Sequence, residues 1–452
     1  MTPAYILIIV ITAVTVLLFF VLKIKINAFI SLLITSIIVG IMAGMPLSEI
    51  TSSIQKGMGG TLGFIATVVG LGAIFGQMLE SSGGARSLAF YLLNKFGKNK
   101  ASWALMATGF IVGIPIFLDV GLIILIPIVY ALTRDTRLSL LYYGIPLLAG
   151  LAVSHAFIPP TPGPMAVAEI LEVQMGWVVL FGIMIGIPTA IIAGPVFGRY
   201  ISKKIYIPAP AELSVNEAEL AGSQKELPSF GIVAVIISTP LFLIILSTLV
   251  NVAVEKAYIT KSLLTDILVF IGHPFTALIL ATLMSILLCL RRNLSRQVIL
   301  DLSTKALGPA GIIILVTGAG GVLKQILVDS GIGKILAESL AESSIPIIVL
   351  AWVLSALVRI TQGSATVSMI TAAGIIAPIL TVIELNQAET ALIVIAIASG
   401  ATILSHVNDS GFWIVSKYLG MNEKQTLQSW TVMETIIAIC GLGFCLIVSL
   451  FV

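Results

Sequence analysis

Residues 345–380 read IPIIVLAWVLSALVRITQGSATVSMITAAGIIAPIL. The run is apolar at both ends and polar at its centre, where Arg359, Gln362, Ser364 and Thr366 gather around Gly363. A helix that crosses a bilayer needs roughly 20 apolar residues. This run is too long for one crossing and too short for two. The polar, glycine-centred middle therefore predicts a helix that enters a membrane, breaks, and returns to the face it came from. A second run of this kind occupies residues 101–132, and its break is GIPIFLDVG at 113–121, with Asp119 beside it.

Two further breaks follow from the residues downstream of each run. SHAFIPPTPGP (154–164) places Pro159, Pro160, Pro162 and Pro164 directly after an apolar helix, and LSHVNDSGF (404–412) interrupts another. Unwound backbone at membrane depth is tolerated only where it is buried in protein or lines a cavity. Ionisable and polar groups at that depth are costly and become candidates for function. These groups are Asp119, His155 and Thr161 in the first half, and Arg359, His406, Asn408 and Asp409 in the second. A hairpin tip that offers hydroxyls, an amide and free backbone N–H groups suits an anionic or polyhydroxyl ligand. Plainer readings stand beside these. Asp119 can cap its own tip, His155 can be a packing group, and Arg359 can pair with Asp409 instead of a substrate carboxylate.

The composition agrees with this reading. Of 452 residues, 58% are hydrophobic and 10% charged, against roughly 25% charged in a soluble domain. Tyr5–Leu22, Ala28–Met45 and Ile232–Val250 are each near bilayer-spanning length. The first of these has no basic residue before it and no cleavage site, so it reads as a retained helix. Lysine and arginine number 24 against 21 acidic residues, a balance that argues against nucleic acid. Cys289, Cys440 and Cys445 lie in apolar stretches with no metal spacing. No nucleotide loop or Cys/His metal set is present, so no cofactor or resident metal is expected, and an enzyme is not. Trp103, Trp177 and Trp430 lie near span ends, as interfacial anchors do, and His273 reads as a helix-end residue.

The chain also repeats itself. GAIFGQMLESSG from Gly72 resembles GGVLKQILVDSG from Gly320, and Ser154–His155 falls against Ser405–His406. Residues 1–205 form a first transmembrane repeat, 206–229 a polar cytoplasmic linker, and 230–452 a second repeat. Basic residues favour the cytoplasmic side. Lys23 and Lys25, the group Arg86, Lys95, Lys98 and Lys100, and Arg291, Arg292 and Arg296 then fix a topology in which the two hairpins enter from opposite faces. The expected fold is an all-α polytopic membrane protein, an inverted repeat with two re-entrant helical hairpins and two unwound transmembrane helices.

Taken as a set, MGGTLGFIATVVGLGAIFGQMLESSGGA, GIPIFLDVGLIILIP, HAFIPPTPGP, QGSATVSMITAAGIIAP and ATILSHVNDSGFW resemble the gluconate permease family, within the broader ion transporter superfamily. The resemblance runs from about Lys23 to the carboxyl end. It implies elevator-type alternating access, a homodimer, and a multi-pass protein of the bacterial inner membrane. It further implies a secondary active transporter that imports gluconate or a related sugar acid by proton symport. Relatives that carry D-serine or other small hydroxy acids, and sodium coupling, are the alternatives; a channel or membrane sensor is a third, of another class. Carried onto this sequence, the hairpin tips are Gly113–Asp119, with Phe117, and Gln362–Thr366, with Gly363, Ser364 and Ala365. The unwound helices are Pro159–Pro164, with Thr161 and Gly163, and Ser405–Gly411. His155, His406 and Asn408 join the substrate set, and Asp119 and Asp409 are the expected proton carriers. The sequence departs from many gluconate carriers at Thr161, where they have histidine between the prolines.

Overall fold

The computed structural model describes residues 3–209, 227–332, 335, 345–383 and 385–452. Most of the expected 206–229 linker lies outside the described residues. Every described element is helical. The first half comprises α1 (Pro3–Leu18), α2 (Ala28–Met42), α3 (Leu47–Ser81), α4 (Gly84–Phe96), α5 (Ala101–Val112), α6 (Leu118–Thr136), α7 (Leu141–Phe157), α8 (Pro162–Ile170), α9 (Met175–Ile191) and α10 (Phe197–Lys204). The second comprises α11 (Phe230–Glu255), α12 (Leu263–Gly272), α13 (Pro274–Arg291), α14 (Arg296–Asp329), α15 (Ile347–Gln362), α16 (Ala365–Leu380), α17 (Gln387–Gly400), α18 (Ser410–Leu419), α19 (Glu423–Thr426) and α20 (Val432–Val448). Among the described residues, seven helical stretches are long and apolar enough to cross a membrane.

One order of elements occurs twice. A long helix (α3, then α14) precedes a helix–break–helix (α5–α6, then α15–α16) and a second helix–break–helix (α7–α8, then α17–α18). The two long helices, of 35 and 34 residues, pack along each other. Glycine allows this approach: a Cβ on Gly57 would stand 2.6 Å from the Gly321 carbonyl oxygen. Small residues at helix crossings permit such backbone contact in membranes, where dispersion replaces the hydrophobic effect as the driving force. Near one end of this crossing, Ser53 Oγ donates to Asp329 Oδ2 at 2.5 Å.

α7 and α17 lie innermost, with nearly all their side chains buried. α11 and α13 lie outermost and expose Val235, Phe242, Leu283 and Leu287. Such apolar exposure fits a lipid boundary, because acyl chains are as apolar as leucine.

Each break has a local cause. Gly113 closes α5, and Pro115 has no N–H to continue it. Gly363 closes α15 in the left-handed region (φ +86°), where residues with a Cβ are strained. The prolines end α7 at Phe157, and Pro162 then opens α8 at a position where a missing N–H costs nothing. The fourth break, between Gly400 and Ser410, is the longest. α15 and α16 pack on one another as a closed hairpin, whereas α5 and α6 both lie against α7.

Candidate functional site

Three of the breaks meet at a cavity of about 510 Å³. α6, α16 and α18 all point their N-terminal ends into it, through Phe117–Asp119, Ser364–Thr366 and Ser410–Gly411. The first amides of a helix have no carbonyl one turn back to bond, and the helix dipole adds partial positive charge there. Three such ends around one space make a site for an anion.

Arg359, in the last turn of α15, supplies the full positive charge. It is 4% exposed, and its Nη2 donates to Asp409 Oδ2 at 2.5 Å. Its Nε and Nη1 are buried and have no hydrogen-bond partner among the described residues. Asp409 is held from three directions, since Ser405 Oγ (2.5 Å) and the Gly411 amide (3.0 Å) also donate to it. Nη2 is thus tied to Asp409, while Nε and Nη1, on opposite sides of the guanidinium, each keep a buried donor that a ligand oxygen could take up.

The surrounding polar groups brace the walls. Asn408 Nδ2 donates to the Ile360 and Thr361 carbonyls (3.1 and 3.2 Å), and His406 Nε2 lies 2.9 Å from the same Ile360 oxygen. These side chains stitch the break before α18 to the end of α15. Within the tip, the Ser364 amide donates to Gln362 Oε1 at 3.0 Å, and Ser364 Oγ accepts from the Val367 amide at 3.4 Å. His155 faces Phe117 edge-on, with ring centroids 5.8 Å apart, and its buried Nδ1 has no partner among the described residues.

The residues singled out in the sequence divide accordingly. Phe117, Asp119, His155, Gln362, Gly363, Ser364, Ala365, Thr366, Asn408 and Asp409 all border the cavity. Thr161 and Gly163 do not. Thr161 is buried, and its Oγ1 donates to the Ile158 carbonyl at 2.7 Å. It borders a separate void of about 10 Å³ whose wall includes Phe117. Gly163 lies against Met369. His406 supports the wall from behind.

The sequence reading missed two wall residues. Trp430 is no interfacial anchor: it is 2% exposed, and its Nε1 donates to Ser405 Oγ at 2.6 Å. Thr431 donates to the Ser405 carbonyl beside it. Glu434, on α20, borders the cavity, is 4% exposed, and leaves Oε1 without a partner among the described residues. A carboxylate within an apolar stretch was its signal, the rule applied to Asp119. His273 is a helix-end residue, its Nδ1 accepting from the Phe275 amide at 3.3 Å. No group of His, Cys, Asp or Glu among the described residues could hold a metal ion.

Comparison with known proteins bears directly on this architecture. The Alcanivorax borkumensis YdaH transporter shares the fold, with a TM-score of 0.60, 14% identity, and 88% of each chain covered. The gluconate permease of Bacillus subtilis (strain 168) is 39% identical over 452 residues, 99% of this chain and 100% of that one. The low-affinity gluconate transporter of Escherichia coli (strain K12) is 40% identical, covering 95% of both chains. The Gnt-II system L-idonate transporter of the same strain is 37% identical, covering 96% of this chain and 97% of that one. The model of the GntP family permease matches residues 5–451. A match of that extent makes this multi-pass membrane protein a member of the GntP permease family, a transporter and not an enzyme.

Proposed function

We propose that the protein imports gluconate or a closely related sugar acid, together with protons, across a bacterial inner membrane. One observation carries the reading: three helix N-termini and a buried arginine with two unpartnered donors converge on a single polar cavity. A sugar acid has one carboxylate and a chain of hydroxyls. The carboxylate fits Arg359 Nε or Nη1 and the amides of Ala365 and Thr366. The hydroxyls fit His155 Nδ1, Ser364, Gln362 and Asn408. Thr161 and Gly163 act at one remove, Thr161 through the Phe117 wall and Gly163 through Met369; His406 holds the end of α15. The names of the relatives, gluconate and L-idonate transporters, support the same substrate class.

Coupling to protons follows from charge. Asp119, Asp409 and Glu434 border the same cavity as one guanidinium, so its carboxylates outnumber its full positive charge before an anion enters. In a low-dielectric site an anion and a proton each favour the binding of the other. The sequence motifs offer Asp119 and Asp409 for this role, and the cavity adds a third carboxylate, Glu434.

The recurrent element order supports an inverted repeat, with residues 1–205 and 230–452 as its halves and α5–α6 and α15–α16 as re-entrant hairpins. In this scheme the α5–α8 and α15–α18 units carry the site as an elevator against a scaffold built on α3 and α14, within a homodimer. The test of the substrate is counterflow of labelled gluconate in proteoliposomes, with L-idonate, glycerate and D-serine as competitors. Gluconate exchange that aldonates block is the expected result. Exchange of D-serine alone would overturn the assignment.

A further inference from the structure

Glu434 stands apart from the other cavity carboxylates. Asp409 accepts three hydrogen bonds, one from an arginine, and uses both oxygens as a carboxylate does. Asp119 is exposed at the start of α6. Glu434 is 4% exposed and its Oε1 receives no hydrogen bond among the described residues. The helix dipole gives it little help, because a π-helical turn at Leu427–Thr431 runs straight into α20.

The elements packed against α20 include α7, α9, the 192–196 turn, α15, α17 and the 427–431 turn. α9 and the two turns bring no charged group. From α15 comes Arg359, with its partner Asp409 beside it, and from α7 comes His155 on the same cavity. Glu389 is at the far end of α17, since Thr402, just past the near end, donates to the Glu434 carbonyl. Tyr142 and Tyr143 are at the far end of α7. Among the described residues, Arg359 is therefore the one full positive charge facing Glu434, and its Nη2 donates to Asp409. A buried charge must be paired or neutralised. A carboxylic acid needs fewer donors than a carboxylate and can donate one hydrogen bond itself.

We propose that Glu434 is the proton-binding site of transport. Glu434 Oε1 takes a proton from cavity water when a sugar-acid carboxylate accepts from Nε or Nη1 of Arg359, and returns it when the substrate leaves. The bound anion offsets the positive field that would otherwise stabilise the Glu434 carboxylate, so substrate and proton bind together. An O–H bond forms at Oε1 as one breaks on the water-borne proton donor, and reverses on release; one proton and one monoanion move as a neutral pair. This inference rests on the symport reading above.

The test uses full-length protein in proteoliposomes that enclose a pH-sensitive dye, with gluconate as the probe. Wild type exchanges labelled gluconate and acidifies the lumen when gluconate is added outside. Its gluconate affinity changes about tenfold per pH unit where one proton binds with the substrate. Glu434→Gln is expected to lose acidification and to bind gluconate with an affinity flat in pH. Glu434→Asp is expected to regain acidification. Lumen acidification by Glu434→Gln equal to wild type overturns the proposal. So does a purified Glu434→Gln protein that no longer binds gluconate, which would make the residue structural. Wild-type counterflow without any acidification would instead remove symport itself, and is distinguishable because it appears before any substitution.

Discussion

Replacing Gly363 with alanine strikes the site where two breaks touch. The φ of +86° there costs a residue with a Cβ about 1–2 kcal/mol. The added Cβ would also lie 2.8 Å from both the carbonyl carbon and Cγ of Asn408, and closer still to its carbonyl oxygen. Atoms at that distance must separate, and what moves is the Asn408 backbone. Asn408 is fastened to Ile360 and Thr361 by two hydrogen bonds, each worth about 0.5–1.5 kcal/mol net. Straining the turn and loosening those bonds together costs about 2–4 kcal/mol. Set against the substrate-competent arrangement, a cost of this size lowers gluconate affinity on the order of 100-fold. The assay is gluconate binding to purified protein in a scintillation proximity format. Gly420→Ala is the control: its φ is +64° but nothing lies within 4 Å of the new Cβ, and it is outside the cavity wall. It is expected to leave affinity unchanged. A monodisperse Gly363→Ala protein that binds gluconate as tightly as wild type would refute the reasoning.

Four other substitutions probe separate parts of the account. Asp409→Asn leaves Arg359 buried without its direct ionic partner, and thermal denaturation in detergent should show a loss toward the lower end of about 3–5 kcal/mol, because Glu434 remains nearby. Glu172→Gln removes an ion pair to Lys324 whose carboxylate is 80% exposed; its loss should be below about 1 kcal/mol and fade with salt. Thr161→Ala deletes a hydroxyl that bonds the Ile158 carbonyl outside the cavity, so gluconate affinity in the same binding assay should change less than about threefold, consistent with one hydrogen bond lost at one remove. Gly321→Val drives a side chain into Thr61 and the Gly57 carbonyl, and size-exclusion chromatography should show loss of the folded, monodisperse species.

The breaks were legible because the residues that cause them are chemically explicit. Pro159, Pro160, Pro162 and Pro164 cannot continue a helix, and Gly363 sits among polar neighbours that no lipid-facing helix would carry. The expected tips at 113–119 and 362–366 fall on the ends of α5 and α15 and the starts of α6 and α16. Which groups share a cavity was less legible, because that depends on which way each side chain faces once three of the four breaks meet. Arg359 and Asp409 were a possible pair in sequence, yet only the fold brings them to 2.5 Å. Thr161 sits in a conspicuous motif but turns toward its own backbone. Trp430 and Glu434 lie in a stretch that reads as an ordinary final span, and their role comes from α20 packing beside the break before α18, a tertiary contact with no local signature.

The most direct test of the central claim is the structure of the protein with gluconate bound. The account predicts the ligand carboxylate within hydrogen-bonding distance of Arg359 Nε or Nη1 and of the Ala365 and Thr366 amides, with its hydroxyls toward His155 and Asn408. Gluconate found away from the three helix N-termini, for instance in the separate cavity of about 230 Å³ bordered by Glu169 and His273, would contradict it.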